Sequence, residues 1–419
     1  MPAAPDSAGA FHPEQCWRAS SGIFGAIILK IIRIETVVVN AVHRNWIFVK
    51  VLTDQPGLHG WGEATLEWKT RAVKGAIDDL APFLTGQDPM RIEHLVNMMT
   101  RFSFWPLGSI GLTAVSGIEH ALWDIKGKAL SVPVWQLLGG KVRDRVRVYT
   151  HLSRGSVGFQ VPHAEIAAYC DAVQQTVEMG YDAVKLGFVP VNGYDAPLKA
   201  VRHTEKLANA VRERVGDDVD IMVDFHGRPD SLDAAIAYIN AIAPIKPLFC
   251  EEVIQPGDAR AMADIARRVA CPLATGERLF TPREFAEIAE ARAVAYIQPD
   301  LAHCMGFTGG RKIAAIAEAA HMGVCPHNPM GPVAGAVALN FGVATTNFVI
   351  QEEAVGIVPW FEEICSVHPL QLKDHSWMVP EAPGLGIEID EAAAAKHPFE
   401  QEIIPAIDSI LADGRIANW

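Results

Sequence analysis

The chain has no C-x-x-C pair, and its seven cysteines are scattered and odd in number. That argues against a disulfide scaffold and reads as a reduced, cytosolic protein. Long apolar runs are also missing. The best, Ile23 to Ile32, is too short to span a bilayer and is broken by Lys30. A signal peptide is not expected, because Arg18 is the only Lys or Arg before that run and the opening is rich in Pro, Ala and Ser. Positive charge is in the minority. Against 49 acidic residues stand 36 Lys and Arg, a net charge of −13, which argues against nucleic acid or an anionic membrane surface as partner. An anionic substrate is still compatible, since a bound divalent metal would dominate the local field. No internal repeat or low-complexity tract is present.

Half of the 419 residues are hydrophobic, enough for a large core. The length suits a barrel of about 250 residues plus one smaller domain. Residues 1–29 read as a disordered extension or an over-extended start. Residues 31–65 alternate as three strands, IIRIETVVV, WIFVKVLT and LHGWGEA, with a DQPG turn before the third. Helical periodicity follows over 69–130, where Leu112, Val115, Ile118, Leu122 and Ile125 recur at three- and four-residue steps. Residues 30–144 therefore read as an α+β capping domain.

From Arg145 the pattern becomes strand–helix alternation. Eight short apolar segments end in polar residues: VRVYTHLS, DAVKLGF, DIMVDFHG, PLFCEEV, PLATGERL, AVAYIQPD, GVCPHNP and FVIQEEA. Amphipathic helices are expected between them, for example over 161–179, 195–215 and 231–243. Residues 145–380 are thus predicted to form an α/β fold of the (β/α)8-barrel type, and residues 381–419 to return to the first domain.

Three of these segments end in carboxylates at nearly even steps: Asp224, Glu251 and Glu277, where 251 − 224 = 27 and 277 − 251 = 26. One strand plus one helix per step brings all three to the C-terminal mouth of a barrel. Three hard oxygen ligands there suit a cation such as Mg²⁺. His226, two residues past Asp224, is expected on the same strand face, pointing into the mouth. Asp300 and His327 end neighbouring strands, where an aspartate on one ring nitrogen would raise the basicity of the other.

These segments resemble the enolase superfamily in its mandelate racemase-like branch, nearest to sugar-acid dehydratases of the galactonate dehydratase type. The resemblance runs from about Lys30 to Trp419. Its carriers are WGE (61–63), ALWDIKGK (121–128), VWQLLGG (134–140), VDFHGR (223–228), PLFCEE (247–252), GER (276–278), IQPDLAH (297–303), CPHNPMGP (325–332), VIQEE (349–353) and PGLGIEID (383–390). It implies Mg²⁺-dependent dehydration of a sugar acid to a 2-keto-3-deoxy acid through a metal-stabilised enediolate. One Mg²⁺ per subunit would sit on Asp224, Glu251 and Glu277. His327, oriented by Asp300, would be the base, and His226 the acid on the leaving hydroxyl. Glu352 would bond substrate or intermediate, with Glu353 competing for that role as Glu252 competes with Glu251.

Relatives often carry Lys-x-Lys at 185–187, the second lysine serving the opposite substrate face. Gly187 stands there instead, which weakens racemisation. Lys185 either contacts the substrate carboxylate or is a buried, paired lysine. Arg44, Asn45, Trp46 and residues 63–70 are expected in loops that close over the mouth. His151, Arg154 and Arg278 are candidate substrate contacts, Arg278 with the alternative of tying carboxylates together, and the role of His303 is open. The resemblance also implies a small-molecule substrate and a tetramer or octamer. An epimerase or cycloisomerase, or a non-catalytic family member, stands as the alternative.

Overall fold

The computed structural model describes residues 29–102, 104–152, 165–191, 193–402, 410–411 and 413–418. Of the expected extension, only Leu29 falls among them, and it is buried in the core. Strands β1 (Ile31–Asn40), β2 (Asn45–Thr53) and β3 (His59–Glu63) form an antiparallel meander, with Val38 opposite Ile47 and Val49 opposite Gly62. Helices α1 (Thr70–Leu84), α2 (Ile92–Arg101), α3 (Gly108–Leu130) and α4 (Val134–Leu137) follow. The α3 backbone lies directly on β3. A Cβ at Gly62 would sit 1.8 Å from the Gly117 carbonyl oxygen, and one at Gly60 2.0 Å from that of Ala121. The glycines of HGWGE are what allow this approach.

Strand and helix then alternate: β4 (Arg145–His151), α5 (Ile166–Glu178), β5 (Ala183–Leu186), α6 (Leu198–Val215), β6 (Asp220–Asp224), α7 (Leu232–Ile242), β7 (Phe249–Glu251), α8 (Ala259–Ala266), β8 (Leu273–Thr275), α9 (Pro282–Ala291), β9 (Tyr296–Ile297), α10 (Gly306–Ala319), β10 (Gly323–Val324), α11 (Pro332–Ala344) and β11 (Gln351–Glu353). Neighbours pair in parallel from β4 to β10. Val324 bridges Phe348 at the approach to β11, and β11 pairs with β4, so the pairings return to the first strand. Several strands are shorter than their apolar segments, because the polar ends turn out of the ladder. His226, Glu277, Asp300 and His327 all lie past the last paired residue.

One hairpin was not foreseen. Strands β12 (Leu372–Lys373) and β13 (Ser376–Met378) add antiparallel to β4, with Ser376 opposite Arg147. Asp374 and His375 both take positive φ, 46° and 62°. That suits a two-residue hairpin turn, but Asp-His is not one of its usual sequence signals.

Tyr149, Ala183, Met222, Phe249, Ala274, Cys325 and Ile350 form a buried cluster of their own inside the ring of strands. Side chains two residues apart on a strand share a face. The next layer is therefore His151, Lys185, Asp224, Glu251, His327 and Glu352, each two residues beyond a member of the apolar one. Strand alternation stacks most of this polar layer on the apolar floor, and His327 joins it past the end of β10. Residues of the tail contact Trp61 and Asp124. Leu385 N–H donates to Asp124 Oδ1 at 2.8 Å, and Trp61 Nε1 donates to Glu388 Oε2 at 2.8 Å. No helix among the described residues is long and apolar enough to cross a membrane.

Candidate active site

Asp224, Glu251 and Glu277 offer oxygens that all lie within 4.8 Å of one another. Glu277 reaches this group although it stands three residues past Ala274, because Gly276 at φ +143° turns the chain between them. Lys185 is the positive centre of the cluster. Its Nζ lies 3.2 Å from Asp224 Oδ2, 3.2 Å from Glu251 Oε1 and 2.8 Å from Glu352 Oε1. Lys185 is buried and ion-paired. Burial opposes its charge, yet Glu251, Glu352 and Asp224 overcome that and hold it well above its ordinary range. Burial and Asp224 push Glu251 up, and burial, Asp224 and Glu252 do the same to Glu277. Burial also works upward on Asp224, but His226 and Lys185 hold it low.

The Asp300–His327 contact is present. His327 Nδ1 lies 2.8 Å from Asp300 Oδ2, which leaves Nε2 facing the cluster, 3.3 Å from Glu277 Oε2 and 4.0 Å from Glu352 Oε2. Burial lowers the imidazole, but Glu352 and the Asp300 bond outweigh it, so His327 is held above its ordinary range. Asp300 is pushed up by burial and held down overall by His303 and His327.

His226 arrives by a different route from the one expected. β6 ends at Asp224, and His226 sits in a turn at φ +51°, so strand alternation does not place it. Its N–H donates to Asp224 Oδ1 at 2.8 Å, and this turn brings Nε2 to 3.2 Å from Asp224 Oδ2. The ring is partly open to solvent.

In each glutamate pair the first member faces the cluster and the second is engaged elsewhere. Glu252 accepts from Thr275 Oγ1 at 2.7 Å and from Arg278 Nε at 2.6 Å. Glu353 accepts from Tyr181 and from Val355 N–H. Glu352 also accepts Asn328 N–H at 3.1 Å, a link that no sequence pattern signals.

The expected substrate contacts fare unevenly. Arg278 is tied to Glu252 and Gln255, which is its structural alternative. Trp46 is a correction. It lies in strand β2, not in a loop, and is buried against Phe48 and Phe361 because the β2 face is covered by the core. With His151, Arg44, Pro329, Met330 and Val358 it lines a narrow cleft beside the mouth. His151 ends β4 and is buried. His303 is a core residue whose Nδ1 lies 2.9 Å from Thr113 Oγ1. Arg154 lies outside the described residues.

Sequence reasoning missed three buried carboxylates, two that reach the loops after Asp300 and His327 and one, Asp124, that holds Trp61 and Leu385. Glu63, Glu119 and Asp124 are fully buried. They sit inside or beside WGE and ALWDIKGK, yet isolated acidic residues in a strand or helix carry no periodic signal of such a role.

Residues 31–139 match the mandelate racemase / muconate lactonizing enzyme N-terminal domain, and residues 168–393 match the enolase C-terminal domain-like family. The D-galactonate dehydratase of Klebsiella pneumoniae strain 342 is 37% identical over 379 residues, covering 89% of this chain and 96% of its own. An enolase structure from Agrobacterium radiobacter, with bound Na and L-malate, superposes with a TM-score of 0.83 at 34% identity over 93% of this chain and 100% of that one. Another, from Pantoea ananatis with bound D-gluconate and Mg, gives 0.79 at 27% identity over 93% and 97%. The chain therefore belongs to the mandelate racemase / muconate lactonizing enzyme family of the enolase superfamily, and it is an enzyme of the hydro-lyase class.

Proposed function

We propose that this enzyme removes water from an aldonate of the galactonate kind, giving a 2-keto-3-deoxy acid, with Mg²⁺ as cofactor. The observation that carries the reading is the Asp300–His327 contact at 2.8 Å, which turns the other ring nitrogen, Nε2, toward the carboxylate trio.

The residues fit a divalent cation. Asp224, Glu251 and Glu352 crowd around one ammonium and Glu277 lies beside the first two, so the cluster gathers more carboxylates than Lys185 can pair, which a bound cation would relieve. Glu251 Oε2 is buried without a hydrogen-bond partner among the described residues, which suits a ligand oxygen. Asp224, Glu251 and Glu277 would hold the ion, and all three supply the hard oxygens that Mg²⁺ prefers. When bound, Mg²⁺ supplies Lewis-acid stabilisation of the charge that develops on the substrate carboxylate.

His327 takes the proton at C2 through Nε2. Asp300 fixes the tautomer and supports the imidazolium that results. His226, beside Asp224 and partly open to solvent, gives a proton to the departing C3 hydroxyl. Lys185 is held by three carboxylates and Gly187 has no side chain, so a one-base reaction with a separate acid fits better than racemisation. Each acid–base role typically contributes about 10²–10⁴-fold.

The test is a panel of aldonic and aldaric acids, beginning with D-galactonate, assayed for keto-acid formation with Mg²⁺ and again with EDTA. Keto acid that depends on Mg²⁺ and vanishes in His327→Asn is the expected result. Turnover by His327→Asn at the wild-type rate would remove His327 from the role of base.

A further inference from the structure

Two glutamates of the capping domain reach across to the helices that follow Asp300 and His327. α11 begins five residues after His327, and its N-cap, Gly331, has no side chain to accept the first N–H groups. Glu63, the last residue of β3, takes them instead. Its Oε1 accepts Gly331 N–H at 2.7 Å and its Oε2 accepts Ala334 N–H at 2.9 Å. One carboxylate from another domain thus does the work of both halves of a capping box. Arg44 adds a second hold on the same loop, donating to the Pro329 carbonyl at 2.9 Å.

The Asp300 loop is held in the same manner from α3. The N-cap of α10, Met305, offers no side-chain cap. Glu119 accepts Phe307 N–H at 3.1 Å and Thr308 N–H at 2.7 Å. Ser116 Oγ accepts Met305 N–H at 2.9 Å, and His120 Nε2 lies 2.9 Å from the Leu301 carbonyl. The proposed base and its aspartate therefore sit on separate loops, and a buried capping-domain glutamate closes each.

We infer that Glu63 and Glu119 are positioning residues, through which the docked capping domain sets the Asp300–His327 contact. The inference rests on the reading of His327 as the base. A misplacement on the order of 1 Å at a reacting group costs about 100-fold in rate, so slack in either loop is felt in kcat before it is felt in binding.

The test uses full-length Glu63→Gln and Glu119→Gln with Mg²⁺. Glutamine keeps the volume and one acceptor oxygen but turns an NH₂ toward a backbone N–H. Four quantities are read: kcat, KM, the rise in Tm that Mg²⁺ produces, and the rate at which diethyl pyrocarbonate modifies His327, mapped by peptide mass spectrometry. We expect kcat to fall about tenfold or more, with KM and the Mg²⁺ response within about twofold of wild type. His327 should be modified at least about threefold faster as its loop opens more often.

Variants with wild-type kcat and wild-type His327 reactivity, altered only in Tm, would reduce the glutamates to structural caps and overturn the inference. Collapse of kcat, KM and the Mg²⁺ response together would overturn it too, since positioning would then not be selective. If the wild type dehydrates no sugar acid, the proposed reaction falls, and His327 reactivity alone decides: faster in the variants supports positioning, unchanged rejects it. Should Glu63→Gln fail to fold, Gly331→Ala supplies the same readings. Its backbone, at φ −93° and ψ −172°, accepts any residue. The new methyl would sit 2.6 Å from Glu63 Oε1, so the contact is disturbed from the other side.

Discussion

Lys185 shows how much of the site depends on single charges. An ammonium that touches Asp224, Glu251 and Glu352 already does part of the work of a cation. Removing it leaves three buried carboxylates facing one another, and breaking a buried pair in this way costs about 3–5 kcal/mol. Lys185→Met should therefore lower the metal-free Tm sharply, and Mg²⁺ should raise the Tm of the variant more than that of the wild type. Thermal unfolding with and without Mg²⁺ checks this, and an equal rise in both proteins would contradict it. The trio could be read from sequence because one strand and one helix separate its members. The third partner of Lys185 could not, since Glu352 arrives from β11, which closes against β4. His226 lies beside Asp224 for a reason other than strand alternation. The strand stops at Asp224, and a positive-φ turn held by the aspartate itself finishes the job.

At the level of elements, the meander, the long helix and the alternation were legible because apolar period and turn residues agree. Strand ends were not, since a parallel ladder stops where its neighbours diverge, which no local pattern records. HGWGE illustrates a motif whose reason appears only on packing. In Gly62→Ala the new Cβ must displace the α3 backbone, because it would lie 1.8 Å from the Gly117 oxygen. Overpacking of this kind costs about 1–3 kcal/mol, so chemical denaturation should show a clear loss of stability, and a midpoint equal to the wild type would argue against the tight approach.

Glu119 gives a pH test of the same interface. Burial raises its carboxyl from 4.5 to about 7, against the bonds it accepts from Thr308 and Trp123. The folded state then keeps a proton that the unfolded state has released. Its contribution to stability is present below the unfolded value and is lost as pH rises through the folded one. The change is on the order of 3 kcal/mol. Glu119→Gln should flatten the fall in Tm between about pH 5 and pH 8. A profile parallel to the wild type would place the carboxyl in the ordinary range.

On the scale of the whole molecule, the N-terminal segment and the strand–helix region both contribute to one candidate site. The barrel supplies the carboxylates, the lysine and both histidines. The capping domain terminates the two loops that bring Asp300 and His327 together, and its Arg44 and Trp46 line the cleft beside the mouth with His151. The division of the chemistry is the central claim: His327 removes the C2 proton, and His226 acts only on the leaving hydroxyl. Proton NMR of the wild type and His226→Asn, each with Mg²⁺ and D-galactonate in deuterium oxide, tests it most directly. The wild type should form the 2-keto-3-deoxy acid. The variant should form none, yet should still exchange the C2 proton for deuterium through His327. A wild-type enzyme that yields the C2-inverted acid and no keto acid would contradict the account, because His226 would then be a second base.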